Sequence, residues 1–123
     1  PDTVVSKKVS YKVTSIGESA FANYKSLTSI SIPNSVTSIG DCAFYNCTGL
    51  TSITISDKVT SIGKYAFYCC YGLTSVTIPD KVTSIGTYAF DYCNSLSNMT
   101  ISSRITTINS NVFYYFNDKR TIR

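Results

Sequence analysis

The chain repeats one pattern of apolar and polar positions every 23 residues. The clearest copy is residues 50–72, LTSITISDKVTSIGKYAFYCCYG, with near copies at 27–49 and 73–95. More divergent copies occupy 4–26 and 96–118, and a sixth begins at 119–123. A unit this small cannot bury its own apolar face, so consecutive copies must stack and share one core. The pattern therefore predicts a repeat solenoid that forms a single domain over residues 1–123.

The first half of each repeat has the alternation of a half-buried strand. Ile53 and Ile55 alternate with Ser52 and Thr54, which predicts an apolar side facing the core and a hydroxyl side facing water. Stacked at about 4.8 Å per repeat, such strands form a parallel sheet on one face of the solenoid. Each strand is followed by a turn-forming pair such as Asp57-Lys58.

The second half of each repeat begins as a short extended piece and ends in a tight turn. Val59 and Ile62 are predicted to point inward, and Ala66-Phe67 to begin a single helical or 3₁₀ turn that carries the phenylalanine into the core. When the five copies are aligned, equivalent positions form columns, and one column holds glycine four times and asparagine once. Because these residues tolerate a left-handed backbone best, the column predicts positive φ at Gly17, Gly40, Gly63, Gly86 and Asn109.

The five cysteines do not form a paired framework. Three of them share one column, Cys47, Cys70 and Cys93, whose other members are tyrosine and phenylalanine, so we expect buried free thiols there. A disulfide or a metal site is the alternative, although the 23-residue spacing and the lack of histidine are unlike a zinc site. Cys42 and Cys69 fall outside the column, and Cys42 is the better candidate for an exposed, reactive thiol.

Composition narrows the classes of function. The chain has no histidine, the usual general base, and the glycines recur singly rather than in a phosphate-binding loop, so we expect no enzymatic activity, no cofactor and no metal. Asp57 and Asp80 share a column but are interpreted as turn residues. The net charge of +4 comes from basic residues near both ends, which does not favour nucleic-acid binding. No apolar run approaches the roughly 18 residues of a membrane-spanning helix.

The pattern L-x-x-I-x-I-P-x-x-V-T-x-I-G-x-x-A-F-x-x-C resembles the BspA-like leucine-rich repeat, over essentially residues 4–118. The resemblance implies a right-handed solenoid with a parallel β-sheet on the concave side and short turns on the convex side. It also implies a secreted or cell-surface protein of bacteria or some protozoa, with a role in adhesion to host or extracellular matrix proteins. The repeat departs from this pattern at Tyr24, Asn109 and Phe116.

Two surfaces are candidates for binding a protein partner. Tyrosines flank the buried phenylalanine turn, and they either cap the edge of the core or form a contact patch. The strand face displays small hydroxyls, which offer few large anchors and are also typical of ice-binding surfaces. The candidate ligand-binding residues are Tyr45, Tyr65, Tyr68, Tyr88, Ser52, Thr54, Ser75 and Thr77.

Two functions follow from the repeat pattern and the resemblance. The first is a binding module of a secreted or cell-surface adhesin. The second is a structural spacer with no ligand of its own, which the near-identity of adjacent repeats favours. The interrupted sixth repeat indicates a segment of a longer array, and open sheet edges at its ends would permit end-to-end association.

Overall fold

The structure is a computed structural model that describes residues 3–6, 9–101, 105, 107–108, 112 and 121–122. Its described secondary structure consists of short strands joined by turns, with a spacing of one repeat between equivalent strands. The strands are β1 (Thr3–Ser6), β2 (Val9–Lys12), β3 (Ser15–Ile16), β4 (Ser29–Ser31), β5 (Ser38–Ile39), β6 (Ser52–Thr54), β7 (Ser61–Ile62), β8 (Ser75–Ile78), β9 (Ser84–Ile85), β10 (Asn98–Ile101), β11 (Thr107–Ile108) and β12 (Thr121–Ile122).

The first halves of the full repeats form the predicted parallel strands, which pair as two separate sheets, β4-β6 and β8-β10-β12. β4 pairs with β6, and β8 pairs with β10, which pairs with β12. Every pair joins residues one period apart, as Ser75 with Asn98 and Met99 with Ile122. The alternation of the sequence decides which side faces inward, because Ile53 and Val76 are buried while their serine and threonine neighbours are exposed. The parallel solenoid is therefore confirmed, and the sixth repeat contributes a strand to it.

The second half of each repeat forms another parallel sheet, in the order β11-β9-β7-β5-β3. Its strands contain only two residues each, a serine or threonine followed by an isoleucine. Ile39, Ile62 and Ile85 are buried, as are the valines that precede each strand, Val36, Val59 and Val82. This agrees with the inward positions predicted for Val59 and Ile62.

The phenylalanines form a continuous stack through the core. The ring centroids of Phe21, Phe44, Phe67 and Phe90 are 5.2, 5.2 and 5.1 Å apart, and the ring planes differ by no more than 7°. Phe44, Phe67 and Phe90 are fully buried, whereas Phe21, in the first coil, is partly exposed. Each ring thus completes the burial of the next, as expected where one repeat cannot enclose its own core.

The cysteine column lies beside this stack as free thiols, which confirms the prediction for Cys47, Cys70 and Cys93. Each thiol donates to the carbonyl oxygen of the phenylalanine in the preceding coil, with Sγ···O distances of 3.1, 3.3 and 3.2 Å. Cysteine in this column therefore fills the core and also gives the phenylalanine carbonyl a hydrogen-bond partner.

Threonine side chains form a further set of hydrogen bonds between coils. Thr51 donates both its backbone N–H and its hydroxyl to the carbonyl oxygen of Thr28, at 2.9 and 3.1 Å. Thr60 does the same to Thr37, at 2.8 and 3.1 Å. The side-chain and backbone bonds converge on one acceptor, so these threonines are part of the stacking rather than free hydroxyls.

The predicted helical or 3₁₀ turn is replaced by β-turns in the described residues. In the third coil Ala66 N–H bonds to Gly63 C=O at 3.3 Å, while Phe67 N–H bonds to Ala89 C=O of the next coil at 2.7 Å. This alternation continues, so every second N–H stays within the coil and the others join it to its neighbour. A helix would satisfy its amides internally and leave the coils unjoined along this side.

The prediction of positive φ at the glycine column is wrong. Among the described residues every positive φ belongs to a non-glycine residue, and two occur in each of the first four coils: Ser19, Asn23, Cys42, Asn46, Tyr65, Cys69, Tyr88 and Tyr92. Tyr65 and Cys69 are third residues of β-turns, the position that takes positive φ in a type II turn. The Asn109 prediction lies outside the described residues.

Close packing of neighbouring coils explains the glycines instead. A Cβ on Gly63 would lie 2.5 Å from the backbone nitrogen of Asp41 and 2.7 Å from the carbonyl carbon of Gly40. Gly86 meets the backbone of Gly63 at 2.6 Å in the same way. The column requires glycine because one backbone lies directly against the next.

The first half of the 4–26 repeat differs from the others. β1 and β2 pair antiparallel as a hairpin, with Val4 opposite Tyr11. The period returns at β3, whose Ser15 pairs with Ser38 of the following coil. Val4 and Val9 therefore do not extend the parallel sheet, although the sequence aligns them with its columns.

Candidate binding surface

Five tyrosines form one network of ring contacts, here called the tyrosine cluster: Tyr45, Tyr65, Tyr68, Tyr88 and Tyr92. All five side chains are partly exposed. Four of them are the tyrosines predicted from the sequence, and the structure brings these four together. They come from the β-turn side of the second, third and fourth coils, next to the phenylalanine stack.

The cluster consists of two stacks that cross. Tyr45 and Tyr68 are stacked with centroids 5.2 Å apart, and Tyr65 and Tyr88 are stacked at 5.3 Å. Tyr65 meets Tyr68 edge to face at 5.1 Å and 74°. Tyr92 meets Tyr68 at 5.5 Å and 85°. Aromatic pairs favour both arrangements, so the rings hold one another in fixed orientations.

Three of these tyrosines adopt a backbone conformation that is unfavourable for tyrosine. Tyr65, Tyr88 and Tyr92 have φ of 57°, 60° and 60°. The turn imposes the left-handed conformation, since Ser19 and Asn23 adopt it at the equivalent positions of the first coil. A left-handed residue with a side chain costs about 1–2 kcal/mol, and asparagine is tolerated better than tyrosine. The free-energy gain from placing rings here must offset that cost.

A buried carboxylate adjoins the cluster. Asp91 is 1% exposed and occupies the column that holds Tyr45 and Tyr68 in the two preceding coils. Its Oδ1 accepts a hydrogen bond from the backbone N–H of Tyr92 at 3.1 Å, and its carbonyl accepts one from the N–H of Cys69 at 3.0 Å. Desolvation raises the pKa of Tyr68, and the nearby Cys69 and Asp91 raise it further.

Sequence reasoning did not select Asp91 or Tyr92 as site residues. The signal for Asp91 was present, because an aspartate interrupts a column occupied by tyrosine at 45, 68 and 114. Tyr92 gives no such signal, since its column holds asparagine and cysteine in the earlier coils. Position 114 lies outside the described residues.

The predicted hydroxyl residues lie on the other half of the coil. Ser52 and Thr54 on β6, and Ser75 and Thr77 on β8, are exposed on the outer face of these two strands. A shallow groove of about 280 Å³ runs between these two strands. A second groove, of about 420 Å³, follows where the strands end at Asp57 and Asp80.

The acidic column at the strand ends serves the turns. A backbone hydrogen bond from Val59 to Ser56 encloses Asp57, and one from Val82 to Pro79 encloses Asp80. Their interpretation as turn residues is confirmed. In the described part of the chain, no three of His, Cys, Asp and Glu are grouped closely enough to hold a metal ion.

The two cysteines outside the column are partly exposed. Burial raises the pKa of Cys42, and the charges of Asp41 and Glu18 raise it further. A raised pKa lowers the thiolate fraction at neutral pH. Cys42 is therefore less nucleophilic than its position outside the core suggested.

Comparison with known proteins gives the family and the fold. Residues 13–123 match the BspA type leucine rich repeat region, with six copies of the repeat. A leucine-rich repeat protein from Bacteroides ovatus is 38% identical, with a TM-score of 0.84, over 92% of this chain and 29% of that one. The leucine rich repeat protein of T. pallidum is 31% identical, with a TM-score of 0.81, over 88% of this chain and 49% of that one.

A leucine rich cell surface protein from Faecalibacterium prausnitzii is also 31% identical, with a TM-score of 0.59, over 99% of this chain and 45% of that one. This chain thus spans less than half the length of each of these three proteins. No curated protein sequence matches it significantly.

Leucine-rich repeat proteins are generally non-enzymatic, generally bind proteins, and are in some cases located at the cell surface. The described residues include no helix long and apolar enough to cross a membrane. The fold adds three parallel sheets, a register of one repeat and a continuous phenylalanine stack. With the family match over residues 13–123, these features establish that the chain belongs to the BspA type leucine-rich repeat family.

Proposed function

We propose that this chain is a protein-binding module of a secreted or cell-surface adhesin that contacts host or extracellular matrix proteins. The observation that carries the proposal is the tyrosine cluster, a partly exposed group of rings from three adjacent coils of the solenoid. The F. prausnitzii relative, which is a cell surface protein, supports the location.

Tyrosine is well suited to such a contact. It supplies a large amphipathic surface with few rotatable bonds, and binding hot spots are enriched in it. Here the rings are already fixed by their mutual stacking, so a partner orders little on binding.

The hydroxyl face is the weaker candidate within the same proposal. Ser52, Thr54, Ser75 and Thr77 are exposed and regular, and the grooves beside them are shallow. Small hydroxyls bury little apolar area, so we expect this face to contribute to a contact rather than to anchor it.

A structural spacer is the second candidate function. The uniform register of the parallel strand pairs favours it, since similar coils extend a rod without creating a distinctive site. On this alternative the tyrosines cover the edge of the core and bind nothing.

The test is binding of the purified chain to a panel of matrix and serum proteins by surface plasmon resonance at two salt concentrations. The cluster is removed in a variant with Tyr65→Ser, Tyr68→Ala and Tyr88→Ser. These residues copy Ser19 and Ala22 of the first coil, and Ser19 has the same positive φ, so the backbone is accommodated.

Tyr71→Ser is the matched control, because Tyr71 is 42% exposed and lies outside the ring network of the cluster. We expect saturable binding that persists in salt, survives Tyr71→Ser and is lost in the triple variant. Absence of binding to every panel protein favours the spacer. Binding unchanged in the triple variant removes the cluster from the proposal.

A further inference from the structure

We infer that the tyrosine cluster and Asp91 together form a site for a cationic side chain, an arginine or lysine on an exposed basic segment of a partner protein. This inference rests on the proposed function and specifies the chemistry of the partner. Its basis is the juxtaposition of crossed aromatic rings with a carboxylate that is 1% exposed.

The rings supply the first part of the site. The face of an aromatic ring carries negative charge density, and a cation within about 6 Å of the ring centroid is attracted to it. The ring planes of the cluster have two orientations, because Tyr68 stands at 74° to Tyr65 and at 85° to Tyr92. A guanidinium group can stack on one face while an adjoining ring covers its side.

Asp91 supplies the second part. It follows Tyr68 by one coil in the same column, and its backbone hydrogen bonds fix it against Cys69 and Tyr92. Solvent screens a buried charge much less than a surface charge, so its field extends through the rings to the exposed side. The pKa of Tyr68 is raised in part by Asp91, which is the expected sign of this field.

Acidic residues also act on the turn position that Tyr65 occupies. Cys42 lies at this position one coil earlier, and its pKa is raised by burial and then by the charges of Asp41 and Glu18. The pKa of Tyr68 is raised by desolvation and then by Cys69 and Asp91. Negative charge at these two positions favours a cation over an anion or a neutral segment.

The experiment titrates the chain with a short oligo-arginine peptide and with a citrulline peptide of the same length, which is neutral and nearly isosteric. Isothermal titration calorimetry gives the affinity. The chain contains no tryptophan, so its intrinsic fluorescence comes from tyrosine and reports contact with the rings. We expect the arginine peptide to bind and quench tyrosine emission, and the citrulline peptide to bind at least tenfold more weakly, about 1.4 kcal/mol.

Two variants separate a specific site from general attraction. Asp91→Asn retains the shape and is expected to weaken arginine-peptide binding about tenfold. The double variant Asp57→Asn, Asp80→Asn removes two exposed acids at the strand ends and is expected to change the affinity less than twofold, since these acids lie on the other half of the coil. Circular dichroism and urea unfolding report whether each variant is folded.

If Asp91→Asn does not fold, Tyr88→Ser replaces it, because Ser19 shows that the turn accepts serine. The inference is overturned if the citrulline peptide binds as tightly as the arginine peptide. It is also overturned if the folded cluster variant binds like the unmodified chain, or if the strand-end variant loses the binding instead. Cluster-dependent binding of a panel protein without any affinity for the arginine peptide would overturn this inference while leaving the proposed function intact.

Discussion

At the scale of single residues, Gly63 lies where two coils approach most closely. Its missing Cβ leaves room for the backbone of Gly40 and Asp41, which a methyl group would meet within 2.7 Å. We therefore expect Gly63→Ala to destabilise the chain by about 1–3 kcal/mol, the typical cost of forcing extra volume into packed structure. Urea unfolding followed by circular dichroism measures the change.

Gly17→Ala is the matched control. Gly17 begins the same turn in the first coil, its φ is not positive, and a Cβ there would meet none of the described atoms within 4 Å. Alanine should be neutral or stabilising by about 0.4–1 kcal/mol, because it restricts the unfolded chain. Equal destabilisation by both substitutions would show that the turn itself, rather than the close approach of the coils, requires glycine.

At the scale of the repeating element, the phenylalanine stack joins each coil to the next. Phe67 is fully buried between Phe44 and Phe90, with centroid distances of 5.2 and 5.1 Å. Phe67→Ala opens a cavity between two neighbours, and we expect a loss of about 3–5 kcal/mol in the free energy of unfolding. Thermal and urea unfolding of the purified variant check this value.

The position within the stack should set the size of that effect. Phe21 contacts Phe44 at 5.2 Å but is partly exposed, so less apolar area is lost when it is truncated. Phe21→Ala should cost clearly less than Phe67→Ala. A similar cost for both variants would argue against stability that depends on neighbouring coils.

The features that depend on the repeat period could be predicted from the sequence, whereas the features that depend on contacts between coils could not. The strands, their one-repeat register and the buried column of Phe67 and Cys70 follow from the alternation and spacing of apolar residues. The left-handed turn positions did not, because Tyr65 occupies one of them and propensity alone would assign it to glycine. Four candidate tyrosines were predicted from their columns, whereas the role of Asp91 depends on its burial, which a single substituted column does not reveal.

At the scale of the whole molecule, the hydrogen bonds, the thiol contacts and the ring stacking all join one coil to the next along the solenoid axis. The β-turn amides, the threonine hydroxyls and the cysteine thiols each bond to an adjacent coil. The stability of the solenoid is then a sum over the contacts between adjacent coils. Ionising a group that is buried between two coils weakens the contacts that this group makes with both. Among the described residues, the groups with raised pKa are Cys42, Cys47, Cys70, Tyr68 and Tyr71.

This arrangement predicts a loss of stability in alkaline solution. Burial raises the pKa of Cys70 well above its ordinary value of 9.0, and it raises that of Cys47 in the same direction. Well below pH 9 both thiols are protonated in the folded and the unfolded chain, so pH has little effect. Above pH 9 the unfolded chain releases these protons first, which favours unfolding, and Tyr68 adds to the effect above its ordinary value of 10.0. We expect the Tm to fall as the pH rises from 8 to 10.5 at constant ionic strength, with a shallower slope in Cys70→Ala whatever its absolute Tm. A Tm that stays constant or rises across this range would contradict the burial of the thiol column, since an exposed thiol has the same pKa in both states.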